Sequence, residues 1–143
     1  MNVLKALLLT LFVILISEAH ANEVSSSHVT TVEQFVNSFN AQNSKAMAEL
    51  VADDVQWLSV DGKELSVEVQ GKDDLIAGMN EYFNSCPTCR SALANIISTN
   101  NRVSAVEIAT WQGSGGLKTQ RALSVYEFSG EKIIRVYYFP AEK

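Results

Sequence analysis

The chain has 143 residues, 47% of them hydrophobic, and a formal net charge of −5. Its length suits one ordinary domain. A dispersed acidic balance argues against nucleic acid as a partner, because that affinity comes largely from neutralising phosphates with Lys and Arg.

The opening MNVLKALLLTLFVILISEAHA has a positive start at Lys5, an almost wholly apolar run over 6–16 and a small-x-small pattern at Ala19-His20-Ala21. These features predict a secretory signal peptide over 1–21, cleaved after Ala21, with the mature chain starting at Asn22. The apolar run is short for a membrane span and no stop-transfer stretch follows, so no stable membrane anchor is expected after cleavage. Export to the periplasm or outside the cell places the protein in an oxidising compartment. His28 is then the one histidine left, which argues against a His-based triad or a multi-histidine metal centre. Neither a metal nor a cofactor is expected.

Residues 22–29, polar and serine-rich, read as a loose leader, and 30–143 as the domain. The stretch TTVEQFVNSFNAQN reads as a helix. Thr30 and Glu33 form a capping box, and Val32, Phe35, Val36 and Phe39 make an apolar stripe. SKAMAELV is a short second helix capped by Ser44, with Met47, Leu50 and Val51 inward. VQWLSV has strand character, Asp61-Gly62 is a turn, and ELSVEVQ alternates like a half-buried strand. KDDLIAGMNEYFNS is a third helix, with Asp73 and Asp74 favouring the dipole and Pro87 stopping it. Four strands follow: SALANIIST, RVSAVEIATWQ, LKTQRALSVYEF and KIIRVYYF, joined by short turns. Helices first, then an antiparallel meander, is an α+β pattern. A strongly twisted sheet of this kind curls, and helices over its concave face leave room for a pocket.

Cys86 and Cys89 in NSCPTCRS are the only cysteines. A reactive Cys-x-x-Cys normally sits at a helix N-terminus, where the dipole favours the thiolate, whereas this pair follows a helix. Zinc would need two further ligands. A structural disulfide is the best account in an oxidising compartment. A redox role and two free thiols stay open.

The order of elements resembles the NTF2-like superfamily, in particular SnoaL-like proteins and ketosteroid isomerase. Three stretches carry the resemblance: VEQFVNSFNAQNSKAMAELVADDVQWLSVDG, GKDDLIAGMNEYF and YEFSGEKIIRVYYF. It runs over residues 30–140, and it implies an NTF2-like, cystatin-like cone in which three helices pack on a strongly curved, mostly antiparallel sheet. Ketosteroid isomerase chemistry uses a carboxylate base and an oxyanion hole made by a tyrosine and a protonated aspartate. The corresponding positions fall on Phe35, Ser59 and Ser124, none of which can serve. Asp61, two residues past Ser59, is the substitute base to consider, against its reading as a turn residue.

Glu107, Arg121 and Arg135 lie inside strand-like apolar runs. Facing inward, they would hold an anionic or polar ligand; facing outward, they would form cross-strand ion pairs of little energy. Trp57, Tyr82, Trp111, Tyr126, Tyr137 and Tyr138 supply aromatic surface, part of it for a pocket and the rest for the core. The candidate ligand-binding set is Phe35, Trp57, Ser59, Tyr82 and Glu107, with Trp111, Arg121, Ser124, Arg135 and Tyr137. The first expectation is an exported domain that binds a small, partly apolar molecule without chemistry. The second is a SnoaL-like lyase, isomerase or cyclase with Asp61 or Glu107 as base. The third is a module that pairs as a homodimer through its open sheet face.

Overall fold

The computed structural model describes residues 25–141. The signal peptide expected over 1–21 therefore lies outside the described residues. Helix α1 occupies 25–40, α2 Ser44–Glu49 and α3 Lys72–Ser85. The strands are β1 Val51–Asp61, β2 Glu64–Gln70, β3 Arg90–Ser98, β4 Arg102–Gly113, β5 Gly116–Ser129 and β6 Lys132–Tyr138. They form one sheet in the order β2-β1-β6-β5-β4-β3. Only the β1–β6 pairing is parallel. The architecture is the expected α+β arrangement, with helices on a curled and mostly antiparallel sheet.

Three local expectations need correction. Residues 25–29, read as loose leader, are already helical, so Thr30 and Glu33 do not cap a helix start. The Thr30 and Thr31 hydroxyls instead bond back to the carbonyls of Ser26 and Ser27 within the helix. His28 anchors this extension: it is buried, stacks on Phe128 at 4.0 Å, and its Nε2 lies 2.8 Å from the Gly130 carbonyl. The cap of α2 is Asn43, whose side chain accepts from the Ala46 N–H, and not Ser44. Ser44 is buried and donates to Asn80 of α3. The third correction concerns β2, an edge strand that leaves Leu65 59% and Val67 53% exposed.

The core forms where the helices meet the concave face. Val32 and Phe35 of α1, Met47 of α2 and Leu75 of α3 pack with Val51, Val103, Ile133 and Val136 from the strands. Register shifts in the β1–β2, β1–β6, β3–β4 and β5–β6 pairings bend the sheet around this core. One of them matters for which face a residue takes. In β6, Glu127 pairs with Arg135 and Phe128 with Ile133, so Ile134 is an extra residue. Ile133 and Val136 both point inward, and Arg135 points out.

On that outer face, Glu127 is 8% exposed and forms ion pairs with Arg102 (2.8 Å) and Arg135 (3.0 Å). Tyr137 also donates to it. Where α3 ends, Cys86 and Cys89 are bonded across a tight turn, with Cα atoms 5.4 Å apart. The disulfide fixes the exit from α3 into β3.

Two predictions follow from the packing and the charges. Ile133 is fully buried, so Ile133→Ala should cost about 2–5 kcal/mol in urea unfolding; a loss under about 1 kcal/mol would contradict this core. Burial pushes the Glu127 carboxyl up, but hydrogen bonds and charge from Arg135 and Arg102 outweigh it and hold it below the usual carboxylate range. A depressed folded value stabilises the fold above the unfolded pKa of about 4.3, and that stability is lost as pH falls through the folded value. Glu127→Gln should therefore cost about 1 kcal/mol near pH 7, given the exposed arginines. It should also flatten the acid limb of thermal stability below the unfolded glutamate pKa; an unaltered acid limb would refute the assignment.

Candidate functional site

Between α1, α3 and the concave sheet lies a cavity of about 810 Å³ that opens to solvent. Strand alternation decides what faces it. In β4, Glu107, Ala109 and Trp111 line the cavity, and the residues opposite them on neighbouring strands share their face. From β1 come Trp57 and Ser59; from the helices come Phe35, Phe39, Met79 and Tyr82.

Glu107 is the chemical centre of this wall. It is 6% exposed and accepts hydrogen bonds from three hydroxyls. Tyr126 of β5 donates to Oε1, while Ser91 of β3 (3.1 Å) and Tyr138 of β6 (3.3 Å) donate to Oε2. Ser91 is itself held by Asn40, whose side-chain amide bonds both its carbonyl and its N–H at 2.8 Å. Desolvation raises the pKa of Tyr126 and Tyr138 well above the usual tyrosine value, and the charge of Glu107 adds to it. Both phenols stay protonated, as donors to the carboxylate. The rings form a continuous aromatic wall: Phe35 to Tyr126 is 6.1 Å, Phe35 to Trp57 6.2 Å and Trp57 to Tyr138 6.1 Å.

The sequence-derived set divides by face. Phe35, Trp57, Ser59, Tyr82, Glu107 and Trp111 all line the cavity. Arg121, Ser124, Arg135 and Tyr137 do not. Arg121 is exposed and stands opposite Ile108 on the outer side of β5. Arg135 and Tyr137 bind Glu127 on the outer face, so the inward pairing of Arg135 with Glu107 does not form. Ser124 shares the inner face but is fully buried in the core, and its hydroxyl is spent on the Ala105 carbonyl. Asp61 lies exposed at the end of β1, beside the Gly62 turn, and does not line the cavity. Its reading as a turn residue is the one the geometry carries.

The sequence marks Tyr126 and Tyr138 as aromatic surface without showing that Glu107 is the partner of their hydroxyls, and it gives Ser91 and Asn40 no part in the site. Cross-strand register brings the three hydroxyls to one face: Ser91 pairs with Ala109, Tyr126 with Val103, and Tyr138 with Ser124, which pairs with Ala105. Alternation in one strand cannot supply that information. The disulfide also borders the cavity, and Tyr82 donates to Cys89 Sγ at 3.3 Å.

The family model for the SnoaL-like domain matches residues 32–136. No curated protein matches the chain. Three solved structures are similar in fold. One is a cystatin-fold protein from Novosphingobium aromaticivorans, 21% identical with a TM-score of 0.70, covering 79% of this chain and 97% of that one. Another, from Jannaschia sp. CCS1, bears the name SnoaL-like polyketide cyclase; it is 14% identical with a TM-score of 0.68, covering 81% and 86%. The third is TerC, co-crystallised with polyporic acid, 14% identical with a TM-score of 0.67, covering 78% and 89%. At such identities the likeness is one of fold. With the family model spanning most of its length and a fold like that of these cystatin-fold and SnoaL-like structures, the chain belongs to the SnoaL-like domain family.

Proposed function

We propose that this protein is an exported domain that takes up a small, largely apolar molecule in the cavity beneath its helices. The observation that carries this reading is the cavity itself, about 810 Å³ with aromatic walls and a single buried carboxylate. That volume and that lining suit a drug-sized ligand, whose apolar body the rings contact and whose polar group the carboxylate orients. TerC, similar in fold, was co-crystallised with polyporic acid.

Binding without chemistry is favoured by the state of Glu107. A carboxylate has about four lone-pair sites, and three hydroxyls already occupy this one. One site is left, enough to accept a hydrogen bond from a guest, and among the described residues no second buried carboxylate lines the cavity to complete an acid–base pair. The second reading, a SnoaL-like lyase, isomerase or cyclase, now rests on Glu107 alone, because Asp61 stands outside the cavity. A homodimer through the sheet is proposed as the assembly. Leu65, Val67, Ile97 and Leu123 are exposed apolar residues on its strands, and a second copy would cover them. Export is proposed from the apolar leader, and an oxidising compartment suits the Cys86–Cys89 bond.

Binding is tested with N-phenyl-1-naphthylamine, a neutral dye that brightens in apolar surroundings. The protein should take up one equivalent. Trp111→Ala should weaken uptake about tenfold, a loss of about 1.4 kcal/mol, and Asp61→Asn should leave it unchanged. No uptake, or equal uptake by the Trp111 variant, would remove the binding reading. Export is tested by N-terminal sequencing and thiol titration of protein recovered from the periplasm of a bacterial host. The expected result is a chain beginning at Asn22 with no free thiol; retention of residues 1–21 would reject it.

A further inference from the structure

We infer that the guest of this cavity is a protonated amine carried on an apolar body. The inference rests on the small-molecule reading above and adds the charge of the ligand.

A buried carboxylate is ordinarily matched by a cation, because desolvating an isolated charge is costly. Glu107 has hydrogen bonds without a counter-charge: all three of its donors are neutral hydroxyls. The ion pairs among the described residues are Lys72–Asp53, Arg102–Glu127 and Arg135–Glu127, and none involves Glu107. The contrast with Glu127 is informative. That carboxylate is nearly as buried, on the opposite face of the same sheet, and it holds two arginines. The fold thus supplies cations to one buried glutamate and leaves the other, which faces a cavity, unneutralised.

The rest of the lining points the same way. Glu68 adds a second acid. The one basic residue of the lining, Arg90, has its Nη1 turned to the backbone carbonyls of Pro87 and Cys89. Trp57 stands 6.2 Å from Phe35 and 6.1 Å from Tyr138, which itself donates to Glu107, and the negative faces of such rings attract an ammonium group. The fourth lone-pair site of Glu107 is free to accept an N–H from the guest. An anionic guest would meet two carboxylates, and a neutral one would leave the buried charge without a counter-charge.

The test uses three ligands with one apolar body: 4-phenylbutylamine, 4-phenylbutan-1-ol and 4-phenylbutyrate. Each is titrated at pH 7 as a competitor of bound N-phenyl-1-naphthylamine. The amine should displace the dye at a concentration at least about tenfold below the alcohol, with the carboxylate weakest. Glu107→Gln should bring the amine to the level of the alcohol, both affinities being read for this variant by direct titration calorimetry rather than through the dye. Should that variant fail to fold, the ranking on the unaltered protein still decides. An alcohol or carboxylate that competes as well as the amine would overturn the inference, and so would an amine preference that survives Glu107→Gln. Those outcomes leave the small-molecule reading standing. Failure of the dye to enter at all would remove both.

Discussion

A carboxylate placed beneath three helices has to be satisfied by donors, and this requirement organises the structure. Glu107 draws its three hydroxyls from three other strands: Ser91 on β3, Tyr126 on β5 and Tyr138 on β6. Four neighbouring strands are thereby tied to one side chain. A slip of one residue in any of them would turn its hydroxyl to the outer face and leave a buried charge short of a partner. Hydrogen bonds to charged groups contribute about 1.5–3 kcal/mol each, so the network opposes register errors in the part of the sheet that carries the cavity. Asn40 extends the restraint to α1 through its pair of hydrogen bonds with the Ser91 backbone.

The cavity exists because the sheet bends more than the helices can fill. Its register shifts occur in four pairings, with Asn95 in β3 at a positive φ of 52°. At the lower end, Met47, Val51, Ile133 and Phe128 close the interior tightly. At the other end, the Cys86–Cys89 turn after α3 fixes where β3 begins. Gln42 supports the same turn through the Pro87 carbonyl. The opening is therefore bordered by a covalent staple and by ends of elements tied to it.

Much of this was legible in the order of residues. Helix α3 and strand β2 fall where their patterns place them, and the α+β class follows from helices preceding long strands. The disulfide was legible because its position after a helix and the small number of other ligands left few alternatives. The start of α1 was not, because a serine-rich segment carries no helical period and its anchor, His28, bonds to Gly130 at the far end of the chain. The inward orientation of Glu107 became fixed only with the register of four strands. The face of Arg135 stayed open for a related reason: the alternation of β6 is broken at Ile134, and nothing local in KIIRVYY marks the extra residue.

The two buried glutamates show how one sheet serves two purposes. Glu127 is closed on itself. Its arginines come from β4 and β6, its charge is neutralised inside the fold, and what remains is a cross-strand clamp on the outer face. Glu107 is satisfied in geometry but not in charge. Hydroxyls hold its orientation without consuming its electrostatic attraction, whereas an arginine in their place would have fixed the carboxylate and neutralised it together. Tyrosine suits this task better than serine alone, since each phenol both donates to the carboxylate and contributes a ring to the apolar wall. The raised pKa of Tyr126 and Tyr138 belongs to the same arrangement: a neighbouring negative charge and a dry wall keep both phenols neutral, and neutral phenols in turn keep the charge of Glu107 directed at the cavity.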